Sequence, residues 1–393
     1  MRQIALPDLE AVVSLTPCDI PPPVPVVTTV APVREHQSLY LAAGGCLYAV
    51  NAADGTARWC QQVKLTRFQE AHYPPGVSVP PPPRMAFATP RVVDGVDGQV
   101  FVCIYGFGSY TCAFSVGDGA LRWWTPTDAQ VSGGHFVDSA APLTHDGIVY
   151  SGTYALNAQD GTVLWRIDID TQLEETLALH ALADQTLYAS TDRGIFAIDA
   201  QDGQVRWRYQ PEEPRYLSGP PVASGRLLYV GVSGGVGYPE PGHFFALDVE
   251  TGAEVWRYPH PIGSYVGAVV HHETIYVSSG DRFLHALDAK NGTLRWRHQF
   301  AAPGRYPATI ADNVLYIAAD GVYALRSADG EIVWHQPLGS SPSVSFRPLI
   351  VHDGAAFLVR LDGHGRGVLY ALNTRIGAEY WHTPYPSALA LAQ

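Results

Sequence analysis

One eleven-residue pattern recurs eight times along this 393-residue chain and restricts its fold more than any other feature. The pattern has Ala at its first position, Asp or Asn usually at the third, Gly at the seventh and Trp at the eleventh. Its eight tryptophans are Trp59, Trp123, Trp165, Trp207, Trp256, Trp296, Trp334 and Trp381. Only Trp124, the ninth tryptophan, lies at another position. Self-similarity at this spacing indicates an array of equivalent structural units.

Each copy of the pattern predicts a β-hairpin. In the sixth copy, residues 284–289 form one strand, residues 290–292 the turn and residues 293–297 the next strand. Asp-Gly or Asn-Gly at the turn favours a tight hairpin in which Gly adopts a positive φ. The third-position Asp or Asn, present in six copies, is predicted to accept hydrogen bonds from turn amides. Ser115 and Arg326 replace it in the other two.

A further strand, ending in an aromatic residue such as Tyr150 or Tyr276, precedes each hairpin, and a fourth begins near a Pro or Ala eight residues earlier. Each unit therefore contains four strands, named A to D in chain order. Four-stranded units repeated radially are propeller blades. An open solenoid would need polar capping repeats at its ends. The first and last copies are as apolar as the others, so we predict a closed, all-β, eight-bladed β-propeller with antiparallel blades.

The repeat resembles the tryptophan-docking motif of the PQQ-like (quinoprotein alcohol dehydrogenase-like) β-propellers. The resemblance covers about residues 25–385. It implies that each Trp packs flat against the neighbouring blade near its small Ala and turn Gly, so all eight pattern tryptophans are predicted to be structural. We expect residues 1–24 to form an N-terminal segment and residues 25–393 a single propeller domain.

The sequence at the two ends of the chain does not determine how the ring closes. Strand A of the first blade is expected near residues 27–33 and strand D of the eighth near residues 379–382, so each blade is complete within its own sequence. Blade eight would then close the ring by packing on blade one. This packing could occur with or without an added strand from residues 9–15, and the tail at 387–393 is a further candidate for an edge strand; the sequence leaves these choices open.

The long connections between strands fall on one face of the predicted ring. In a four-stranded blade the D-to-A and B-to-C connections share one face, here called the loop face, and the A-to-B and C-to-D turns share the other, the turn face. The long loop-face connections are residues 64–85, 126–137, 234–242, 339–345 and 362–367. The turn face has one slightly lengthened turn at residues 94–98. Function usually resides on loops held by a rigid scaffold, which favours the loop face as an interaction surface.

The loop face carries aromatic, histidine and arginine side chains that suit a flat ligand or a peptide. The candidate binding residues are His72, Tyr73, Arg84, His135, Tyr216, Tyr265, Arg305 and Tyr306. Residues 73–84 are rich in proline and are predicted to be an extended, exposed loop.

Charge and motif content exclude several classes of partner and location. The formal charge of −12 argues against nucleic acid and against an anionic membrane surface. No stretch reaches the roughly 18 apolar residues of a membrane span. The N-terminus is a poor secretory signal, and we expect no lipid on Cys18. The protein is expected in the cytoplasm as the sequence stands, or outside it if an export segment precedes this chain.

The histidines and cysteines predict no metal site. The fifteen histidines are scattered, and neither a Cys-x-x-Cys nor a His-Glu-x-x-His pattern occurs. The pairs Cys46/Cys60 and Cys103/Cys112 flank hairpins, so a disulfide is an alternative for each in an oxidising compartment. Buried thiols are the default expectation, and the sequence leaves the choice open.

Enzymes of the resembled family use a vicinal Cys-Cys beside the quinone and a calcium site with carboxylates. This chain has no adjacent cysteines, and its spacing yields no nucleophile–base pair, so no cofactor is predicted. We expect a monomeric, non-enzymatic scaffold that binds a protein or peptide through its loop face. By resemblance, the propeller lipoprotein of outer-membrane β-barrel assembly is the nearest functional model. The alternatives are a PQQ-dependent oxidoreductase and a small-ligand or sugar sensor.

Overall fold

The computed structural model describes nineteen segments of the chain, and all structural statements concern these. They are residues 11–17, 33–35, 38–43, 46–67, 86–87, 91–92, 98–105, 109–128, 141–167, 177–191, 194–210, 216–217, 220–233, 242–259, 265–304, 306–338, 345–346, 349–361 and 367–385. All regular secondary structure within these segments is β-strand. The strands form eight antiparallel sheets in a ring, which confirms the predicted eight-bladed β-propeller.

The strands of the first four blades follow the chain in order. Blade one contains β1 (Ala11–Pro17), β2 (Val33–Glu35), β3 (Ser38–Ala43), β4 (Cys46–Asn51) and β5 (Ala57–Arg67). Blade two contains β6 (Ala86–Phe87), β7 (Arg91–Val92), β8 (Gln99–Tyr105), β9 (Ser109–Ser115) and β10 (Leu121–Thr127). Blade three contains β11 (Leu143–His145), β12 (Ile148–Ser151), β13 (Tyr154–Asn157) and β14 (Val163–Arg166). Blade four contains β15 (Ala178–Ala183), β16 (Thr186–Ser190), β17 (Ile195–Asp199) and β18 (Val205–Tyr209).

The remaining four blades repeat this arrangement. Blade five contains β19 (Tyr216–Leu217), β20 (Val222–Ser224), β21 (Leu227–Ser233), β22 (His243–Asp248) and β23 (Glu254–Pro259). Blade six contains β24 (Tyr265–His271), β25 (Thr274–Ser279), β26 (Phe283–Asp288) and β27 (Leu294–Gln299). Blade seven contains β28 (Thr309–Ala311), β29 (Val314–Ala318), β30 (Val322–Arg326) and β31 (Ile332–Gln336). Blade eight contains β32 (Ser345–Phe346), β33 (Ile350–His352), β34 (Ala355–Leu361), β35 (Gly367–Asn373) and β36 (Glu379–Tyr385).

The A strands form the inside of the ring and the D strands the outer edges. Strands β11, β15, β20 and β24, the A strands of successive blades, contact one another. In blades two, five and eight, strand A is split into two short pieces that pair with the same B strand. No helix in the described segments is long and apolar enough to cross a membrane.

Within each blade, the pattern Ala lies between two rings. In blade six, Ala286 pairs with Tyr276 on strand B and with Trp296 on strand D. The two rings meet over the alanine with centroids 5.8 Å apart, and Ala286 is fully buried. The equivalent ring pairs of the eight blades lie 5.7–6.2 Å apart. Alanine is required because a larger side chain would separate the rings. The pattern Ala belongs to the same blade as the tryptophan that it contacts. The turn glycine that this tryptophan covers belongs to the next blade.

Each tryptophan docks on the C-to-D turn of the following blade. The turn glycines have φ angles of 70–76°, as the Asp-Gly turns predicted. A Cβ added to any of them would lie 2.5–2.7 Å from an atom of the docked indole. Seven indole nitrogens donate to the carbonyl of the fourth pattern residue in the next blade, as Trp59 Nε1 does to Val116 at 2.8 Å. Trp165 is the exception among the eight. Its buried Nε1 has no acceptor among the described residues. The Tyr150 hydroxyl donates to the equivalent Ala200 carbonyl, as the corresponding tyrosines of blades five to seven do alongside their tryptophans.

The same interaction closes the ring. Trp381 of blade eight donates to the Ala52 carbonyl of blade one at 3.2 Å and covers Gly55. Leu39 and Leu41 pack against blade eight in one apolar cluster. Closure therefore occurs by packing of blade eight on blade one, as expected from the sequence. The added strand also exists, as β1, but it extends the outer edge of blade one, with Ala11 opposite Arg67 and Pro17 opposite Gln61. Residues 387–393 lie outside the described segments.

The pattern's third residue fastens the turn, as predicted. Asp288 Oδ1 accepts the amides of Lys290 and Asn291 at 3.0 and 3.2 Å. All six Asp or Asn residues at this position accept at least one turn amide. Arg326, one of the two replacements, instead pairs with Asp329 and Glu331 on the same hairpin.

The structure shortens four of the predicted connections and moves one strand. Residues 64–67 belong to β5 and residues 126–127 to β10, so the connections that follow them begin later than predicted. The 339–345 and 362–367 connections each end one residue earlier than predicted, because their last residues lie in β32 and β35. The A strand of blade one is Val33–Glu35, at the end of the predicted range 27–33. The apolar pattern marked the strand ends in the sequence. Backbone hydrogen bonds do not depend on side-chain type, so strand pairing continues past the end of that pattern.

Replacing a docking tryptophan should strongly destabilise the ring. For Trp256→Ala we expect a loss of about 3–5 kcal/mol in the free energy of unfolding, since the indole fills the blade five–six interface. Chemical denaturation followed by fluorescence measures it. The control is Trp124→Ala, which removes an indole that docks on no turn glycine; an equal loss in both variants would contradict the docking role.

Replacing a turn glycine tests the same contact from the other side. Gly292→Ala places a Cβ 2.5 Å from the Trp256 ring at φ 72°. Gly147→Ala has a similar φ of 76° and no atom within 4 Å. Both variants should lose about 1–2 kcal/mol from the left-handed backbone, and Gly292→Ala should lose more from the collision with the indole. An equal decrease in denaturation midpoint for the two variants would show that the indole moves aside without loss of stability.

Candidate interaction face

The two faces of the ring differ in chemistry. On the turn face the eight C-to-D hairpins repeat the same glycine, the same docked indole and similar side-chain bonds to turn amides. At the loop-face ends of the strands, neighbouring blades meet through side chains that change from one interface to the next. The regular face is explained by folding alone, so the irregular face is where a specific function can be encoded.

Few of the predicted binding residues fall within the described segments. His72, Tyr73, Arg84, His135 and Arg305 lie outside them. Tyr216 begins β19 and Tyr265 begins β24, while Tyr306 precedes β28. These three positions lie where the chain enters the A strands of blades five, six and seven, which are neighbours in the ring. Their role in binding remains a prediction.

A buried tyrosine–histidine–aspartate group joins blades five and six. His285 of β26 lies 3.0 Å from Asp281 through Nε2, and its Nδ1 is 3.4 Å from the Tyr258 hydroxyl of β23. The His285 and Asp281 side chains are 3% and 8% exposed. Burial raises the pKa of Tyr258, the charge of Arg297 partly offsets this, and the charge of Asp281 has a smaller raising effect. Because histidine and aspartate are enclosed, the group fastens the B-to-C turn of blade six to blade five.

A stack of rings occupies the next interface, between blades six and seven. Tyr323 of β30 lies parallel to His335, with centroids 3.9 Å apart, and contacts Phe300 at 5.0 Å. The Tyr323 hydroxyl donates to Asp320 at 3.1 Å. Burial, followed by the hydrogen bond and charge of Asp320, raises the pKa of Tyr323 to about 12. Burial lowers the pKa of His298, which lies beside this stack. The tyrosine therefore stays protonated and acts as a hydrogen-bond donor.

Hydroxyl and thiol groups fill the interface between blades two and three. The Thr111 hydroxyl donates to Ser151 Oγ at 2.7 Å, and Cys103 Sγ lies 3.0 Å from the same oxygen. Thr127 extends this group, 3.3 Å from Thr111. On the opposite side of blade two, where Cys112 packs against blade one, burial, with a smaller effect of Cys103, raises the pKa of the Cys112 thiol well above its usual value. A neutral thiol of this kind packs as a small apolar group and is a poor nucleophile.

Two basic side chains near the loop face lack a complete set of partners. His180, on the inner strand of blade four, lies at a bulge between Leu179 and Ala181. Its Nε2 is 2.6 Å from Ser190 Oγ, and its buried Nδ1 has no partner among the described residues. Burial lowers the pKa of His180 to about 4. Within the same segments, Nε of Arg360 on β34 is buried without an acceptor.

The cysteines form neither of the two disulfides that the sequence left as alternatives. Cys46, Cys103 and Cys112 are buried thiols, so neither Cys46–Cys60 nor Cys103–Cys112 is a disulfide. Cys60 is nevertheless disulfide-bonded. The default expectation of buried thiols is confirmed for three of the four paired candidates and is wrong for Cys60.

The side chains at this face do not fit the quinone site of the resembled enzymes. The sequence lacks adjacent cysteines. Among the described residues, no group of three or more His, Cys, Asp or Glu side chains could hold a metal ion. His285 with Asp281, and Tyr323 with Asp320, are engaged with protein partners. We therefore derive no catalytic step through a quinone.

The comparison with known proteins agrees with the repeat. A family profile described as outer membrane protein assembly factor BamB matches residues 43–240 and 241–390. The chain belongs to this family. The resemblance to PQQ-like propellers that the tryptophan repeat indicated is thereby confirmed.

Members of the wider group include both assembly factors and enzymes. The outer membrane protein assembly factor BamB of Pseudomonas aeruginosa is 32% identical over 131 residues, or 33% of this chain and 32% of that protein. The quinoprotein ethanol dehydrogenase of the same organism is 30% identical over 140 residues, or 30% of this chain and 22% of the enzyme. The alignments thus span less than half of either relative's length.

A solved structure supports the fold alone. The computationally designed Ika8 protein superposes with a TM-score of 0.62 at 13% identity, covering 88% of this chain and 96% of that one. Identity at this level carries no information about ligands or partners.

Sequence reasoning missed the tyrosine–histidine–aspartate group, although one signal marks it. The residue before the pattern Ala is Tyr or Phe in six copies, and His285 and Cys112 are the exceptions. His285 lies at one of the irregular interfaces described above, whereas Cys112 packs in an apolar cluster with blade one. The partner of His285 across the interface, Tyr258, comes from another blade and could not be paired with it by sequence spacing.

The His180 environment predicts a loss of stability in acid. The pKa of this histidine falls from 6.5 to about 4 on folding, so the unfolded chain binds the proton first as the pH drops. Its contribution to stability is complete above about pH 6.5 and declines as the pH falls toward 4, by on the order of 3 kcal/mol. Denaturation midpoints across this window should show a flatter slope for His180→Leu than for wild type. The exposed His145→Gln is the control, and an NMR titration of His180 near pH 6.5 would refute the assignment.

Proposed function

We propose that this protein is a non-enzymatic scaffold that docks a protein or peptide partner on its loop face. The observation that carries the proposal is the contrast between the faces, since the turn face repeats one solution eight times and the loop face does not. Membership of a family described as outer membrane protein assembly factor supports a role in assembly.

The scaffold suits binding because its framework is rigid. Eight indoles fasten blade to blade around a closed ring, so the strand ends keep fixed positions. Loops on such a framework can vary in length and composition without loss of the fold. The connection between β5 and β6, residues 68–85, includes the proline-rich run and three of the candidate residues, His72, Tyr73 and Arg84.

The partner is inferred to be a protein component of outer-membrane protein assembly. This inference rests on the family description and on the similarity to the Pseudomonas aeruginosa assembly factor. A chain of charge −12 favours a partner whose contacting surface is basic or apolar.

An oxidoreductase role is the competing proposal, and partial similarity to a quinoprotein ethanol dehydrogenase favours it. It requires a quinone site that the described residues do not supply. Titration with pyrroloquinoline quinone and calcium separates the two functions. We expect no saturable binding and no dye-linked turnover, and either result would replace the scaffold proposal.

Site-specific photo-crosslinking tests the docking face. A photoreactive residue at position 306, where the chain enters blade seven, should crosslink a partner of the assembly machinery in the native host. The same residue at the exposed turn-face position 290 is the matched control. Crosslinks of equal yield at both positions, or at position 290 alone, would contradict the proposal.

Replacement of residues 68–85 by a short Gly–Ser linker tests the main loop-face connection. Strands β5 and β6 remain intact, so the unfolding midpoint should stay near that of wild type. Affinity for the crosslinked partner, measured by titration of purified proteins, should fall at least tenfold. Unchanged affinity would remove this connection from the docking site.

A further inference from the structure

The B-to-C turn of blade six holds a long side chain on a backbone that favours glycine. In the described segments, eight non-glycine residues have φ angles between 45° and 71°. Seven of these lie in A-to-B turns on the turn face, and the eighth, Arg282, lies on the loop face with the largest value, 71°. A left-handed backbone is costly for a residue with a Cβ. Strain retained at one position points to a role for the side chain found there.

The turn uses its own carboxylate internally and leaves the arginine outside. Asp281 Oδ1 accepts the amide of Phe283 at 2.9 Å, and Asp281 Oδ2 lies 3.0 Å from Nε2 of His285. The amide of Phe300, which follows β27, donates to the Arg282 carbonyl at 2.8 Å. The Asp281 side chain is buried, whereas Arg282 is exposed. The backbone of the turn is therefore fixed, and its guanidinium remains available to solvent.

A second guanidinium lies at the same end of blade six. Arg297 of β27 is exposed, and its Cζ lies over the Phe283 ring, 4.8 Å from the ring centroid. The charge of Arg297 lowers the pKa of Tyr258 of blade five, against the larger effect of burial. Arg297 therefore borders the interface between the two blades. A guanidinium that packs on a ring is held in one orientation and keeps N–H groups for a planar acceptor.

The carboxylates of blade six do not neutralise these two arginines. Among the described residues of this blade, the ion pairs are the histidine–aspartate pair of the turn and Arg295 with Asp288. Arg282 and Arg297 take part in neither. Asp288 and the remaining carboxylate, Glu273, lie at the turn-face end of the blade. The loop-face end therefore has two exposed positive charges beside a single carboxylate that is buried and already engaged.

Other blades show how the position of Arg297 is neutralised. Blades three to six have Arg directly after the docking tryptophan, at Arg166, Arg208, Arg257 and Arg297. In blades three and five this guanidinium pairs with Asp128 at 3.0 Å and with Glu254 at 2.6 Å. In blades four and six it lies over a phenylalanine ring of strand C and has no carboxylate partner in the described segments. Because the described turn of blade six adds a second arginine, a carboxylate from another molecule would complete this site.

We infer that Arg282 and Arg297 form a docking point for an acidic segment of the partner protein, whose carboxylates accept hydrogen bonds from the two guanidiniums. The location rests on the proposed loop-face function, and the new element is the chemistry of the partner's contacting surface. Arginine–carboxylate bonds are charge-assisted and frequently bidentate, which fixes the orientation of the partner as well.

The net charge of the chain does not oppose this local contact. The charge of −12 favours basic or apolar contacts for the molecule as a whole. Interactions between exposed charges are largely screened beyond about 8–10 Å at physiological salt. The guanidiniums nearest to the partner therefore decide which charge is attracted to this end of blade six.

Binding of a fluorescein-labelled octaglutamate peptide to the full chain tests the site. Wild type should bind the peptide saturably at low ionic strength and more weakly as salt is added. Arg282→Gly keeps the left-handed turn without strain, so the variant should fold and melt like wild type. Arg282→Gly and Arg297→Gln should each lower the affinity about tenfold, because each removes a charged hydrogen-bond donor.

Arg375→Gln is the matched control. Arg375 is exposed in the C-to-D turn of blade eight, on the turn face, so its replacement changes the net charge equally and should leave the affinity unchanged. Absence of saturable binding by wild type, or an equal loss in Arg375→Gln, would overturn the inference. Vesicles of phosphatidylglycerol are the second probe. Vesicle binding that needs both arginines, together with octaglutamate binding that needs neither, would replace the acidic segment by a lipid phosphate.

The crosslinking experiment at position 306 separates this inference from the scaffold proposal. A partner crosslink combined with unchanged octaglutamate binding by Arg282→Gly and Arg297→Gln would sustain the scaffold and overturn the arginine site. Octaglutamate binding that depends on both arginines, without any partner crosslink, would sustain the site and remove the scaffold proposal.

Discussion

The contact between an indole and the glycine turn of the next blade holds this molecule together. A propeller blade is a small sheet that cannot bury both faces alone, and each ring covers a surface that a Cβ would block. The indole nitrogen usually donates to a carbonyl beside that turn, which fixes the angle between blades as well as their distance. Because blade eight uses the same contact on blade one, the ring closes without exchanging a strand between its ends.

This mode of closure leaves the two faces under different constraints. The turn face contains the glycines, the Asp or Asn caps and the indoles, so substitution there damages folding. The loop face is released from that requirement, and its interfaces accommodate a histidine–aspartate pair, a tyrosine–histidine stack and a hydroxyl–thiol group in turn. A specific docking surface needs such variety. Because these groups are buried and paired, their arrangement favours a role in positioning the strand ends rather than a role in catalysis.

Blade one differs from the other blades because a segment from outside the repeat pairs with its outer strand. Its D strand is eleven residues long and accepts β1 on its open edge, an addition that the closed ring does not require. Unpaired edges are normally protected by charge, twist or a cover. Here the chain supplies its own cover, because β1 pairs along this edge.

The sequence by itself determined the all-β propeller, the number of blades and the structural role of the eight tryptophans. These follow from local rules repeated in register: a turn that needs Gly, a short side chain that caps it, and a ring that needs a small neighbour. It did not determine how the ring closes, which strand β1 joins, or that His285 meets Asp281 and Tyr258. Those facts depend on contacts between residues far apart in the chain, such as Trp381 with Ala52. The tertiary structure decided them because packing across blades, unlike turn chemistry, leaves no fixed spacing in sequence.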